Sequence, residues 1–267
     1  MPPTVAPRVA VVGYLSLDDI VLAHRTSRDV PGGAALYTCL GVLAAGGRPA
    51  LFARTGTDFP PGVLSALGQA GVALEGVEKG NAPSRRARLE YSGSDDRRSD
   101  HHRESVWRES VWWQRTEALI PPVPGGGFDA KALTPMPAAY AERILSAHLQ
   151  DCPTLLDTSE AFAARDRSLL FELLNEVDLF APSRAETRRM LPGCDDDAAA
   201  IELTSRAQTV VQKRGPDGLI LARDGSIVAR CEAGPGPVVD PTGAGDAVTG
   251  ALGVALAQGL KPRAMLA

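Results

Sequence analysis

The residues best suited to chemistry form one glycine-rich run, Asp240 to Asp246 (DPTGAGD), directly before the last predicted helix. Glycines at a helix N-terminus let backbone N–H groups approach a phosphate, and the helix dipole favours the negative charge there. A carboxylate beside such an anion site can accept a proton from a hydroxyl that attacks phosphorus, as phosphoryl transfer requires. Taken alone, the run fits a helix-capping turn better than an active site.

Four further segments accompany this run in a fixed order. Asp18 follows a predicted strand, five residues after a glycine, and Pro31 to Ala35 carries a pair of adjacent glycines. Asp178 to Glu186 ends in S-x-x-E, and Lys213 to Gly218 reads K-x-G-x-x-G. In order and spacing the five segments resemble the ribokinase-like (PfkB) carbohydrate kinases. That resemblance implies an α/β fold in which a central, mostly parallel β-sheet is flanked by helices and carries a small β lid.

The resemblance also implies four groups of residues around one reaction centre: a base with its anion hole, an acceptor site, a nucleotide site and a metal site. ATP and Mg²⁺ are the implied cofactors, and a monovalent cation is left open. The base is Asp246, with Gly243, Ala244 and Gly245 as its anion hole, and the acceptor site is formed by Asp18, Gly32, Gly33 and Tyr37. The nucleotide site is formed by Lys213, Gly215, Gly218 and Thr242. The metal residue is Glu186, which acts through water because Mg²⁺ keeps much of its hydration shell. Taken singly, Glu186 and Lys213 fit a solvated helix charge and a strand-end charge equally well.

The sequence departs from the family pattern at four places. Ser183 replaces the Asn of N-x-x-E, and its hydroxyl has a shorter reach than an amide. Tyr37 stands where many sugar kinases carry Asn, which indicates a different or less polar acceptor. Only thirteen residues separate Asp18 from Gly32, so the first part of the lid must be short. The chain ends 21 residues past Asp246, and we expect the C-terminal part of the usual fold to be missing.

The remaining sequence must position these segments, and its periodicity predicts alternating strands and helices. Asp224-Gly225 predicts a hairpin turn between Leu219 to Ala222 and Ser226 to Cys231. Such alternation indicates a parallel sheet covered on both faces, with ligands at the carboxyl ends of its strands. The other predicted strands are Arg8 to Val12, Ala50 to Arg54, Arg85 to Tyr91, Thr154 to Asp157, Leu179 to Ala181 and Thr209 to Gln212, and the predicted helices are Ala34 to Ala45, Pro61 to Ala70, Ala138 to Leu149, Ala163 to Leu174, Glu186 to Leu191, Asp197 to Ser205 and Gly243 to Gln258.

We expect one domain over residues 1–267, with the lid formed from about 14–31 and 84–115. Ser92 to Gly127 interrupts the alternation as a charged insertion that contains RESVW twice in tandem. A five-residue period matches neither a strand nor a helix face, so we interpret the repeat as a loop. His101-His102 lacks a third ligand and is not interpreted as a metal site. The tryptophans of the repeat fit a partner-binding patch or a cover over the lid or substrate.

Composition excludes several partners. With 44% hydrophobic residues the chain can bury a core, and its formal net charge of -4 gives no electrostatic reason to expect nucleic acid as a partner. Its four cysteines form no C-x-x-C pair, and no apolar run is long enough to span a membrane. These features predict a cytoplasmic protein with a small-molecule substrate and no nucleic-acid or membrane partner. A homodimer is left open.

The sequence therefore predicts an enzyme that transfers the γ-phosphate of ATP to a hydroxyl of a sugar or related polyol. A nucleoside kinase is one alternative, since Tyr37 offers a ring on which a base could stack. A non-catalytic ligand-binding protein on the same fold is another, because of Ser183 and the early chain end. A dehydrogenase is disfavoured, because Gly243 to Gly250 does not satisfy G-x-G-x-x-G.

Overall fold

A computed structural model gives the structure of the protein, and it describes residues 5–22, 25–90, 126–147, 152–235, 238 and 240–266. Strands and helices alternate along these residues as predicted. The strands are β1 (Arg8–Val12), β2 (Ser16–Leu22), β3 (Arg25–Gly32), β4 (Arg48–Thr55), β5 (Ala73–Lys79), β6 (Arg88–Glu90), β7 (Ala130–Leu133), β8 (Thr154–Leu156), β9 (Leu179–Phe180), β10 (Thr209–Lys213), β11 (Leu219–Arg223) and β12 (Ser226–Cys231). The helices are α1 (Ala34–Ala44), α2 (Pro61–Gln69), α3 (Ala138–Ala147), α4 (Glu160–Arg165), α5 (Arg167–Leu173), α6 (Arg184–Met190), α7 (Asp196–Leu203), α8 (Ala244–Ala257) and α9 (Pro262–Met265).

The central sheet has the strand order β12-β11-β10-β9-β8-β7-β1-β4-β5. The seven neighbouring strands β10, β9, β8, β7, β1, β4 and β5 pair in parallel. The hairpin β11–β12 adds antiparallel pairs at the β10 edge. Parallel strands need crossover connections, which the intervening helices supply. The predicted fold class, a mostly parallel sheet flanked by helices, is confirmed.

Side-chain alternation along β1 divides the hydrophobic core into two. Val9 and Val11 pack on one face with residues of α1 and α8, whereas Ala10 and Val12 pack on the other face with residues of α3 and the helices that follow it. A strand buried on both faces reads as a continuous apolar run, which is why β1 was recognisable. Among the described residues the longest helix is α8, with 14 residues, and none of the helices there is long and apolar enough to cross a membrane.

A second, three-stranded sheet has the order β3-β2-β6. Strands β2 and β3 form an antiparallel pair, and β6 adds in parallel to the other edge of β2. This sheet occupies the segments predicted to form the lid, as far as residue 90. The rest of the charged insertion, including both copies of RESVW and His101-His102, lies outside the described residues.

Some elements differ from the prediction. The helix predicted over Ala163 to Leu174 is two helices, α4 and α5, that meet at Asp166. The Asp166 carboxylate accepts a hydrogen bond from the Ala138 amide at 3.0 Å, and this contact with the start of α3 fixes the break. Strands β5 and β7 and the short helix α9 were not predicted, and strands β2 and β3 were predicted only as part of the β lid, without bounds of their own.

Candidate active site

The carboxyl edge of the central sheet collects small and polar residues. Gly13 follows β1, Thr134 follows β7, Asp157 follows β8, and Lys213 ends β10. The Thr134 hydroxyl donates to the Val12 carbonyl at 3.1 Å, so the ends of two adjacent strands are tied together. Open parallel sheets bind their ligands at this edge, and the residues predicted to act in chemistry are found around it.

The glycine-rich run forms a tight turn at the N-terminus of α8, here called the anion turn (Pro241 to Asp246). The Ala244 amide donates to the Pro241 carbonyl at 3.1 Å and closes the turn. Gly243 has φ 75° and ψ 1°, the left-handed values of the third residue of a type II turn, which favour glycine. The Thr242 amide donates to Asp240 Oδ1 at 2.9 Å and anchors the turn at its entry.

The start of α8 is open to solvent. Ala244 and Gly245 are exposed, while Asp246 in the same first turn is partly buried. The helix therefore presents its positive dipole end, with a glycine and a carboxylate next to each other, at the surface of the site. This arrangement suits an anion that approaches Gly245 and a hydroxyl that approaches Asp246.

Helix α1 braces this turn from behind. The Thr38 hydroxyl on α1 donates to the backbone carbonyl of Asp246 at 3.1 Å. The two helices touch at backbone distance, because a Cβ built on Gly250 would lie 2.1 Å from the Thr38 carbonyl oxygen. The position of Asp246 is thus fixed by a buried partner on another element.

The ring of Tyr37 lies directly on the anion turn. A Cβ built on Gly243 would lie 2.1 Å from Tyr37 Cγ, so glycine is required here both by its backbone conformation and by the ring above it. Tyr37 is partly exposed, and its ring packs against the backbone of the anion turn from the first turn of α1.

The predicted acceptor residues meet at that N-terminus. A Cβ built on Gly32 would lie 2.4 Å from Asp18 Oδ2, so the buried Asp18 carboxylate lies against the glycine backbone. Gly33 precedes α1 with φ 97°, and a side chain there would collide with the Tyr14 carbonyl oxygen at 2.5 Å. The two glycines and Asp18 therefore form one packed unit.

Lys213 is buried in a cluster that the sequence did not predict. Its Nζ donates to Asp157 Oδ2 at 2.6 Å and to Thr249 Oγ1 at 3.2 Å. Burial opposes the charge of Lys213, but the negative charges of Asp157, Glu186 and Asp246 raise its pKa above the ordinary value. The Lys213 ammonium thus places a positive charge next to the anion turn. The Cδ, Cε and Nζ atoms of Lys213 lie 3.8–3.9 Å from a Cβ built on Gly245.

Glu186 and Ser183 form a capping box at the start of α6. Ser183 Oγ accepts from the Glu186 amide at 3.2 Å, and Glu186 Oε2 accepts from the Ser183 amide at 2.5 Å. Burial raises the pKa of the Glu186 carboxyl to about 7, with Lys213 opposing the rise and Asp157 adding to it. Serine in the place of the family's Asn serves here as a helix cap, a role that asparagine could also fill.

The predicted nucleotide segment leaves the sheet immediately after Lys213. Gly215 begins a single 3₁₀ turn, and the Gly218 amide donates to the Gly215 carbonyl at 3.0 Å. A Cβ built on Gly218 would lie 1.9 Å from the Cys231 carbonyl oxygen, so this glycine lets the turn pack on β12.

The structure brings some of the predicted residues together in three contacts. Tyr37 meets Gly243, Lys213 meets Gly245, and Asp18 meets Gly32, as described above. Sequence reasoning missed three residues that hold them: Thr38, Asp157 and Thr249. Asp157 carried a usable signal, because it is a carboxylate that directly follows a strand at the ligand-binding edge. Across the described ranges, no three His, Cys, Asp or Glu side chains are grouped as in a metal site.

Known proteins are similar to this chain in sequence and in structure. A cytidine kinase of Thermococcus kodakarensis is 28% identical over 251 residues, covering 91% of this chain and 86% of the relative. The nucleoside kinase of Methanocaldococcus jannaschii, an archaeal member of the ribokinase family, superposes with a TM-score of 0.74 at 16% identity, covering 97% of this chain and 87% of that one. An Escherichia coli protein solved in complex with ATP and Mg²⁺ superposes with a TM-score of 0.68 at 17% identity, covering 98% and 89%.

The family comparison covers almost the full length. The model of the pfkB family of carbohydrate kinases matches residues 8–267, which include the anion turn and every residue of the candidate site. The chain belongs to the PfkB family of carbohydrate kinases.

Proposed function

We propose that this protein transfers the γ-phosphate of ATP to a hydroxyl group of a sugar-containing small molecule, with Asp246 as the general base. The observation that carries the proposal is the start of α8, where Asp246 stands beside the exposed Gly245 at the positive end of a 14-residue helix. The Thr38 hydroxyl holds the backbone of Asp246 from behind. A fixed carboxylate next to an anion site is the arrangement that in-line phosphoryl transfer needs.

The residues around the turn fit ATP and Mg²⁺. The exposed helix N-terminus and the positive charge of Lys213 suit phosphate groups, and Thr242, Gly215 and Gly218 would line the nucleotide side. Glu186 would act on Mg²⁺ through water, since its carboxylate is already engaged by the Ser183 amide. When bound, Mg²⁺ neutralises charge on the phosphate oxygens.

The protein's own groups then account for the reaction. Asp18 and the backbone at Gly32 and Gly33 would hold the acceptor so that one hydroxyl faces Asp246. Asp246 takes the proton of that hydroxyl as the hydroxyl oxygen attacks the γ-phosphorus, and the bond from this phosphorus to the bridging oxygen breaks, so that ADP leaves. The N-terminal amides of α8, at Gly245 in particular, stabilise the charge that develops on the transferred group.

A nucleoside is the acceptor class that this site favours. The ring of Tyr37 lies on the anion turn and is partly exposed, so it could stack on a base or on the face of a sugar. The relative from Thermococcus kodakarensis is a cytidine kinase, and it shares 28% identity over 251 residues. We extend that acceptor class, though not cytidine itself, to this protein.

The three-stranded sheet is proposed to act as the lid of this site. Its strands β2 and β3 contain Asp18 and Gly32 themselves, so any movement of the sheet would be transmitted to the acceptor. Closure over the substrate would exclude water and limit hydrolysis of ATP.

A panel assay tests the proposal. ADP release is measured with ATP-Mg²⁺ and, in turn, nucleosides, free sugars and polyols. We expect turnover with at least one nucleoside and a far lower rate with free pentoses. Turnover confined to sugars or polyols would keep the kinase but overturn the acceptor class. Absence of turnover together with absence of thermal stabilisation by millimolar ATP-Mg²⁺ would instead favour a non-catalytic protein, because a ligand that binds the folded state must stabilise it.

A further inference from the structure

A closed triangle of hydrogen bonds lies beneath the anion turn. Lys213 Nζ donates to Asp157 Oδ2 at 2.6 Å and to Thr249 Oγ1 at 3.2 Å. Thr249 Oγ1 in turn lies 2.6 Å from Asp157 Oδ2, to which it can donate its proton. The side chain of Asp157 is 1% exposed and that of Lys213 is 11% exposed, so each charge depends on the others for compensation.

Asp157 is held rigidly within this triangle. Its Oδ1 accepts the amide of Thr158 at 2.8 Å, while its Oδ2 receives Lys213 and Thr249. Asp157 directly follows β8, in the middle of the central sheet. The carboxylate therefore lies at the carboxyl end of a central strand, where its contacts with Thr158, Lys213 and Thr249 hold it in place.

The triangle reaches the anion turn through Thr249 and Lys213. Thr249 Oγ1 lies 3.1 Å from the carbonyl oxygen of Gly245, one helical turn earlier in α8. The end of the Lys213 side chain lies 3.8–3.9 Å from a Cβ built on Gly245. Both contacts fall on the residue that directly precedes Asp246.

We infer that Asp157 is a positioning residue for phosphoryl transfer, and this inference rests on the proposed function. By orienting the Lys213 ammonium and the Thr249 hydroxyl, it fixes the first turn of α8. The Gly245 amide and the Asp246 carboxylate are then in place before the substrates bind. Preorganisation of this kind lowers the barrier to the chemical step and leaves acceptor binding, which depends on Asp18 and the glycines beside it, unchanged.

Two variants and a matched control separate positioning from stability. Asp157→Asn weakens the whole triangle. Thr249→Val removes only the hydroxyl and keeps both charges, so it remains informative if Asp157→Asn fails to fold. Asp178→Asn is the control. The Asp178 carboxylate accepts a hydrogen bond from the Thr154 amide at 2.8 Å, at the start of β8, whereas Asp157 follows the end of β8.

The first measurement is the steady-state kinetics of each folded variant. We expect kcat to fall about 100-fold in Asp157→Asn and about tenfold in Thr249→Val, since a misplacement near 1 Å is enough for the larger loss. The KM of the acceptor should stay within about twofold of the wild-type value, because the variants leave Asp18 and the glycines that hold the acceptor in place. Thr249→Ser, which restores the hydroxyl, should recover most of the lost rate. Asp178→Asn should lower thermal stability without lowering kcat.

The second measurement is amide hydrogen exchange over residues 244–250 of the ligand-free protein, which reports order in the first turns of α8. We expect faster exchange there in Asp157→Asn and Thr249→Val, but not in Asp178→Asn. The inference is overturned if all three variants share wild-type kcat and unchanged exchange in this segment. If the wild type turns over no acceptor, the proposed function fails, and the exchange comparison alone decides whether Asp157 orders the turn.

Discussion

Tyr37 and Gly243 are in contact across two helices that lie far apart in the sequence. A Cβ at residue 243 would overlap the ring at 2.1 Å from Cγ, so the aromatic side chain on α1 rests directly on the backbone of the anion turn. In the proposed mechanism, this contact joins the acceptor side of the site to the phosphate side. The outcomes expected for Gly243→Ala and for replacement of Tyr37 depend on this contact.

Gly243→Ala should damage both the fold of the turn and the reaction. The backbone at φ 75° is strained for alanine by about 1 kcal/mol or more, and the new methyl group must also displace the Tyr37 ring. We expect a lower melting temperature and a loss of kcat of about 100-fold. Thermal unfolding and steady-state kinetics check both effects.

Gly46→Ala is the matched control for this change. Gly46 also has a positive φ, 79°, but nothing lies within 4 Å of a Cβ built on it. The control should lose similar backbone stability and keep full kcat. Equal kcat in the two variants would show that the contact with Tyr37 has no role in the reaction.

Replacement of Tyr37 should change acceptor affinity in a way that depends on the acceptor. Tyr37→Ala removes the stacking surface, and base–aromatic stacking contributes about 1–3 kcal/mol, so the KM of a nucleoside acceptor should rise at least about fivefold. Tyr37→Phe keeps the ring and should retain most of the affinity. A Tyr37→Ala variant that binds nucleosides as well as the wild type does would contradict the proposed acceptor class.

Glu186 should make the stability of the ligand-free protein depend on pH. Its pKa is about 7 in the folded protein against 4.5 for the free side chain, so the folded state binds the extra proton between these values. The contribution of Glu186 to the free energy of unfolding is therefore fully present below pH 4.5 and is lost as the pH rises through 7. The total loss is at most about 3 kcal/mol. Denaturant unfolding between pH 5 and pH 8, in the absence of Mg²⁺, measures this slope.

Glu186→Gln should flatten that slope, because glutamine keeps the capping box but has no proton to bind. Glu172→Gln, on an exposed position of α5, is the control and should leave the slope as it is in the wild type. If the slope persists in Glu186→Gln, another group is responsible for it.

The sequence was informative where a single strand or helix carried its own signal. β1 was recognised because its Val-rich run is buried on both faces, and α8 because a glycine-rich turn precedes a long apolar helix. β7 was missed because its sequence is AKAL, with Lys131 buried in the middle of a strand that has no β-branched residue. β5 was missed because charges and a glycine interrupt its alternation.

The residues proposed for the site could be named from the sequence, but their support could not. Asp246, the glycines of the anion turn and Tyr37 were named through the resemblance of five segments to the family pattern. The bonds of Thr249 to Asp157 and of Thr38 to Asp246 join residues 92 and 208 positions apart, and no local pattern reports such pairs. The same holds for Lys213: the motif indicated a nucleotide residue, whereas its ammonium lies in a buried ion pair. Its contribution to nucleotide binding stays a prediction.

The most direct test of the account is the turnover of Asp246→Asn. Asparagine has nearly the same shape, and the Thr38 bond to residue 246 goes to the backbone, so the fold and the thermal stabilisation by ATP-Mg²⁺ should be retained. Loss of the general base should lower kcat by about 100-fold to 10,000-fold with the best acceptor of the panel. Turnover close to that of the wild type in a folded Asp246→Asn variant would contradict the central claim that Asp246 activates the acceptor hydroxyl.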